Sequence, residues 1–310
     1  MLYTPFLMQE NTSILVQKAR EKVYPAEFRF REEMDLLSRQ WRSILGSIFV
    51  LIYLVLIVFL NLAFYRYEPL ETGGRLKDLG YELIPELSDE YEAVVDLPLT
   101  FIYVIMGLVV FGTFRTCFPC RRGTFKPEYD QVPYVVNMVR RFGLTYAFGH
   151  SFRALTYLVT TVPGGNERCL SYAAMKKYKP SFAECFYRTA DVNYNCGDLM
   201  FSGHLLLCVL ALCIINRYQT KAFGWSKRAS EGYIAFGVIL TIWEVTMIIS
   251  ARHHYTSDCV VALYFTPTWW FCFEYFNPHD LTPDREHIAT IILNKHELND
   301  DILTNTSLMI

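Results

Sequence analysis

Apolar residues in this chain gather into six blocks: about Ser43–Tyr65, Val94–Phe114, Phe142–Val162, Met200–Asn216, Gly232–Ser250 and Asp258–Phe276. Each is near the roughly 20 residues that a helix needs to cross the hydrocarbon layer. The pattern therefore predicts an all-α integral membrane protein with six transmembrane helices. The first block, SILGSIFVLIYLVLIVFLNLAFY, has no charge. The third holds His150 and Arg153 among apolar residues, and the fourth is short. A charge within a span is costly, so it is expected to face the bundle interior or a watery cavity. The blocks divide the chain into an N-terminal arm (1–42), a six-span domain (43–276) and a C-terminal tail (277–310). There is no internal repeat and no low-complexity tract.

Loop charges orient the spans. The arm brings Arg29, Arg31, Arg39 and Arg42 up to the first span. The second-to-third connection has Arg115, Arg121, Arg122, Lys126, Arg140 and Arg141 against Glu128 and Asp130, and the fourth-to-fifth has Arg217, Lys221, Lys227 and Arg228 against Glu231. These three are expected to be cytosolic, which puts both termini in the cytosol. The first-to-second loop sets Arg66, Arg75 and Lys77 against eight carboxylates between Glu68 and Glu92. One loop disagrees. Residues 164–199 carry Arg168, Lys176, Lys177, Lys179 and Arg188, yet must be luminal if the majority holds, and a longer loop is translocated despite its charge.

Composition changes this picture little. Of 310 residues 52% are hydrophobic, 16% aromatic and 19% charged, and the formal net charge of −2 gives no sign of nucleic-acid binding. The start, MLYTPFLMQENTSILVQ, lacks a basic n-region and a long apolar run, so it does not read as a cleaved signal peptide. Nine cysteines sort by place. Cys208, Cys213, Cys259 and Cys272 lie in spans, where cysteine acts as a small hydrophobe. Cys117 and Cys120 form a CxxC without a second Cys/His pair, so a plain or acylated pair is expected there rather than zinc. Cys169, Cys185 and Cys196 share the 164–199 loop, which allows one disulfide if that loop is luminal.

Two segments carry candidate chemistry. Cys196-Gly197-Asp198-Leu199-Met200-Phe201-Ser202-Gly203-His204 opens the fourth span, and Ser250-Ala251-Arg252-His253-His254-Tyr255-Thr256-Ser257-Asp258 joins the fifth to the sixth. The topology brings both to one membrane face, the luminal one. Two histidines so placed suit phosphoryl transfer through a phosphohistidine, which divides one hard step into two easier ones. Asp258 is four residues after His254 and can reach its ring to fix the tautomer. The other histidine would protonate the departing alkoxide and then deprotonate the incoming hydroxyl. Arg252 could hold phosphate oxygens as charge builds. Without that convergence, His204 would read as a satisfied polar residue and HHYTSD as a solvated turn. EF-hand, HExxH and paired-CxxC patterns are absent, so neither metal nor cofactor is expected.

SGH followed by a histidine with an aspartate four later resembles the lipid phosphate phosphatase superfamily. The fuller forms, CGDxxxSGH and HYTxD, are similar to those of the sphingomyelin synthase family, which includes ceramide phosphoethanolamine and inositol phosphorylceramide synthases. Arg75-Leu76-Lys77-Asp78-Leu79-Gly80-Tyr81-Glu82-Leu83-Ile84-Pro85 resembles that family's segment in the first luminal loop, and Arg153 through Thr160-Thr161-Val162-Pro163 the one ending its third span. The resemblance covers most of residues 43–276. It implies a lipid phosphate phosphatase-like core in which His254 is the nucleophile, Asp258 its orienting carboxylate and His204 the general acid/base. It also implies supporting roles for Asp198 and for Glu184, whose position in the loop before CGD varies among relatives. Leu205 departs from the usual threonine after SGH, and His253 is an extra histidine that reads as a phosphate or headgroup contact.

The implied reaction moves a phospho-headgroup from a glycerophospholipid to ceramide and releases diacylglycerol, in the Golgi or plasma membrane. Phosphocholine is favoured, with Tyr194, Phe201, Tyr255 and Trp243 as aromatic candidates near the site, and ethanolamine and inositol headgroups stay open. A homo-oligomer is allowed. The rival readings are a lipid phosphate phosphatase, whose Lys…Arg-Pro motif is not evident, and a non-enzymatic membrane scaffold.

Overall fold

The structure is a computed structural model that describes residues 25–69, 74–88, 94–114, 134–170, 176–190, 196–223 and 225–276. The Cys117/Cys120 pair, Tyr194 and both tail sequons lie outside them. Helix α1 (Pro25–Phe49) runs without a break through a π-helical stretch, Val50–Phe59, into α2 (Leu60–Arg66). Then come α3 (Leu79–Leu83), α4 (Leu97–Phe114), α5 (Val135–Val159), α6 (Glu167–Leu170), a 3-10 turn (Glu184–Phe186), α7 (Gly203–Phe223), α8 (Lys227–Ser250) and α9 (Thr256–Phe276). The described residues contain no strand.

Six long helices therefore match the six apolar blocks. Phe30–Arg66, Leu97–Phe114, Gly203–Thr220 and Lys227–Ser250 are long and apolar enough to cross a membrane. The other two, α5 and α9, fall short of that apolarity. These helices carry charged and polar residues: Arg140, Arg141, His150 and Arg153 on α5, and Asp258 at the head of α9. The protein is an all-α, multi-pass membrane protein. Large side chains such as Phe111, Leu155, Ile242 and Phe271 are exposed, which suits a bundle solvated by lipid chains.

Helix α7 is the hub, packing against α4, α5, α8 and α9. It buries Leu205, Leu206, Leu210 and Ile215 in the main core, where Ile102 and Val109 of α4 meet it. The N-terminal arm is helical from Pro25 and packs along α5. Its Glu33 carboxylate accepts the Val135 and Val136 N–H groups at 2.7 and 2.9 Å. Glu32 accepts the Tyr134 hydroxyl at 2.7 Å. These first N–H groups of α5 have no partner within their own helix, and acids at a helix start also suit its dipole. A similar device sits deeper. Glu244 of α8, fully buried, accepts the Leu99 N–H in the first turn of α4 at 3.1 Å.

Candidate active site

Both histidine segments are bent into place by left-handed residues other than glycine, Met200 (φ 84°) and Arg252 (φ 57°). This conformation is costly for such residues and persists where the surroundings hold it. At Met200 the holding is covalent as well. Cys169 and Cys196 form a disulfide, while Cys185, the third cysteine of that loop, is free and buried. The bridge tethers the start of CGD, and Gly197 packs so closely on the Ala63 backbone that a Cβ would fall 2.4 Å from the Ala63 oxygen. Glycine is therefore required at 197.

Three segments distant in sequence then build the floor under His254. Asp78 caps α3 by accepting the Tyr81 N–H. It also caps α9, taking the Thr256 N–H at 2.8 Å and the Thr256 hydroxyl at 2.6 Å. The Tyr81 hydroxyl donates to the His254 carbonyl, and its ring stacks on Tyr255 at 5.1 Å. The Tyr255 hydroxyl in turn donates to the Pro163 carbonyl at 2.9 Å. The Arg75–Pro85 segment and the Pro163 end of the third block are thus parts of one support, packed against HHYTSD.

On this floor His254 Nδ1 meets Asp258 Oδ2 at 3.1 Å, with both side chains buried. The same oxygen accepts the Tyr255 N–H at 3.3 Å, and the Ser202 N–H reaches the Asp258 carbonyl. With Nδ1 held by a carboxylate, Nε2 is the nitrogen left to act as a nucleophile. The His204 ring lies 6.3 Å from that of His254, centroid to centroid, which leaves room for a phosphoryl group between them. The structure therefore brings together His204, His254 and Asp258.

Asp198 reaches the site through Arg153. The Arg153 Nη2 donates to the Asp198 carboxylate at 2.5 Å, and Nε donates to the Phe201 carbonyl at 2.7 Å. Nη1 has no partner among the described residues, and it lies 3.3 Å from where a Cβ on Gly203 would sit. The buried guanidinium thus stands beside His204 with donors to spare. His150 packs against the same glycine.

Arg252 is put to another use. Its Nη2 donates to the Tyr81 and Ile84 carbonyls at 3.2 and 3.0 Å, and it stacks on the Tyr81 ring. Glu86, 3.8 Å from its Nε, is held below the ordinary carboxylate range by a two-pronged bond from Arg75. Glu184 bonds within its own turn, to the Ser181 N–H, and lies 3.9 Å from Arg188. Leu205 is core. Of the aromatic candidates, Phe201 is fully buried against Phe265, Tyr255 is stacked on Tyr81, and Trp243 lies on the exposed face of α8 with Ile239 and Ile242. Sequence reasoning missed Asp96, whose Oδ1 lies 3.5 Å from His204 Nε2. An acid at the head of the second apolar block, on the face expected to hold both histidines, was the available signal.

Residues 195–275 match the PAP2 superfamily C-terminal family. The stretch runs from Asn195 through both histidine segments and most of α9. The chain is similar over most of its length to named ceramide phosphotransferases. It is 25% identical to phosphatidylinositol:ceramide inositolphosphotransferase 2 of Arabidopsis thaliana, over 87% of this chain and 80% of that protein. It is 22% identical to phosphatidylethanolamine:ceramide ethanolaminephosphotransferase of Trypanosoma brucei brucei, over 90% of this chain and 97% of that one. It is 24% identical to phosphatidylcholine:ceramide cholinephosphotransferase 2 of Rattus norvegicus, over 73% and 57%. These relatives are phosphotransferases that use inositol, ethanolamine and choline headgroups by name. The sphingomyelin synthase-like family expected from the motifs of this chain is thereby borne out.

Proposed function

We propose that the protein moves a phospho-headgroup from a glycerophospholipid to ceramide and releases diacylglycerol. The observation that carries this is the His254–Asp258 pair facing His204 across 6.3 Å. In the first half-reaction His254 Nε2 attacks phosphorus while His204 protonates the diacylglycerol oxygen as its bond to phosphorus breaks. In the second, His204 takes the proton of the ceramide hydroxyl, whose oxygen displaces His254. Arg153, with Nη1 unengaged, holds phosphate oxygens as charge builds. Asp198 fixes that guanidinium by its ion pair. Arg252 acts through the floor.

Phosphocholine is the headgroup we favour. Arg153 is already paired with Asp198, and Asp96 and Asp258 add two further carboxylates close to the histidines. Such a site accepts a donor without net charge more readily than the anionic phosphatidylinositol. Purified protein given labelled ceramide with phosphatidylcholine, phosphatidylethanolamine or phosphatidylinositol should turn over the first fastest. Faster turnover of either other donor would reassign the headgroup.

We place the site on the luminal face of the Golgi or plasma membrane, with both termini cytosolic. The loop charges support this, as does the Cys169–Cys196 disulfide, since such bonds persist in oxidising compartments. The sequons Asn11-Thr12-Ser13 and Asn305-Thr306-Ser307 should then stay unglycosylated, while an engineered sequon near Gly73 should gain an endoglycosidase-sensitive sugar. Sugar on either native sequon would invert the topology.

A further inference from the structure

We propose that Asp96 is the positioning residue of His204, so that each histidine of the site has its own carboxylate. This rests on the reading of His204 as the acid–base group.

The placement of Asp96 is built from three sides. Its carboxylate oxygen Oδ1 lies 3.5 Å from His204 Nε2. Its own carbonyl accepts both the backbone N–H and the hydroxyl of Thr100 at 2.9 Å, which starts α4 directly behind it. On either side Val95 and Leu99 are buried in the main core, with 1% and 7% of their surface exposed.

Glu244 supplies the third hold. It comes from a different helix, has no exposed surface, and accepts the Leu99 N–H at 3.1 Å. Its other oxygen has no partner among the described residues. Keeping a carboxylate in so buried a place is expensive unless it does something there. What it does is tie α8, whose end leads into the His254 segment, to the first turn of α4, which presents Asp96. The start of α4 is thereby held in register with the turn between α8 and α9.

The pairing has a chemical consequence. Asp258 occupies Nδ1 of His254, whereas Asp96 faces Nε2 of His204. The two rings are therefore held in opposite tautomers. Hydrogen on Nε2 of His204 points to Asp96, and Nδ1 is left to exchange a proton with the lipid oxygen. Asp96 faces the same nitrogen in both half-reactions. It stabilises the imidazolium that forms when His204 takes the ceramide proton, as Asp258 does for the ring that carries phosphorus.

The test uses the full chain in lipid nanodiscs, with fluorescent ceramide and the donor that the wild type turns over fastest. Asp96→Asn should lower kcat by between about tenfold and a hundredfold, leave the KM values for donor and ceramide within about twofold, and be largely rescued in Asp96→Glu. A readout independent of turnover is nitrogen NMR on histidine-labelled protein, with the His204 signal assigned by its loss in His204→Gln. The wild type should show hydrogen on His204 Nε2, and Asp96→Asn should lose that preference. Unchanged kcat in Asp96→Asn, or a His204 tautomer that ignores the substitution, overturns the proposal. So does a raised donor KM with kcat intact, which would make Asp96 a headgroup contact. A wild type that transfers nothing to ceramide would sink the functional reading alone, since the tautomer still decides the Asp96 pairing.

Discussion

Replacing His254 by alanine is expected to abolish headgroup transfer while leaving expression and membrane insertion intact. The ring is the only described nucleophile whose second nitrogen is fixed by a buried carboxylate, at 3.1 Å. Removing it removes the covalent path and leaves only binding and the acid–base group. The loss should reach at least about three orders of magnitude, in line with nucleophile deletions in covalent enzymes. Labelled phospholipid donor should also fail to mark the variant, whereas the wild type, quenched in acid-free conditions, should carry acid-labile label. Asp258→Asn belongs to the same prediction. An amide cannot stabilise imidazolium, and it would also weaken the acceptor for the Tyr255 N–H. Near-native turnover of His254→Ala in micelles would end the phosphohistidine mechanism. Full activity of Asp258→Asn would remove that residue from the site.

His204→Ala should fall almost as far, but its signature differs. The nucleophile and its carboxylate remain, so the step lost is the proton transfer to and from the lipid oxygens, typically worth about two to four decades. Both half-reactions use that proton, so slow formation and slow resolution of the phosphohistidine are expected together. Single-turnover measurements with labelled donor would separate the cases. Fast labelling of the variant with slow transfer to ceramide would confine His204 to the second half-reaction. Near-native turnover would exclude it from the chemistry.

The parts of this molecule written in local sequence were the legible ones. An uncharged run such as Ser43–Tyr65 has no stable state in water and reads as a span on apolarity alone, and the structure carries it as one continuous helical segment. His254 and Asp258 are four residues apart, and the turn into α9 brings them together as that spacing requires. His204 could be joined to them because span parity sets both segments on one face. The helical arm was harder to see, since residues 25–42 mix charge with apolar positions, and what fixes them is α5, whose first N–H groups their Glu33 caps.

The roles of the arginines lay beyond sequence for a physical reason. Arg252 sits beside the catalytic histidine in the chain, but its left-handed backbone turns it to the Tyr81 and Ile84 carbonyls. Arg153 is 51 positions from His204 in sequence, yet packs on the adjacent Gly203. Asp96 has no motif at all. It is one acid at the head of an apolar block until α4 and Glu244 select it.

Transfer and hydrolysis differ most plainly in their dependence on an acceptor. Purified protein in nanodiscs would be given phosphatidylcholine labelled in both headgroup and glycerol, with and without ceramide, and products read by mass. Headgroup label should enter a sphingophospholipid as diacylglycerol forms in about equal amount, and without ceramide diacylglycerol release should fall to slow leakage, because a transferase excludes water from its intermediate. Rapid release of free phosphocholine without ceramide would contradict transfer and make the protein a hydrolase.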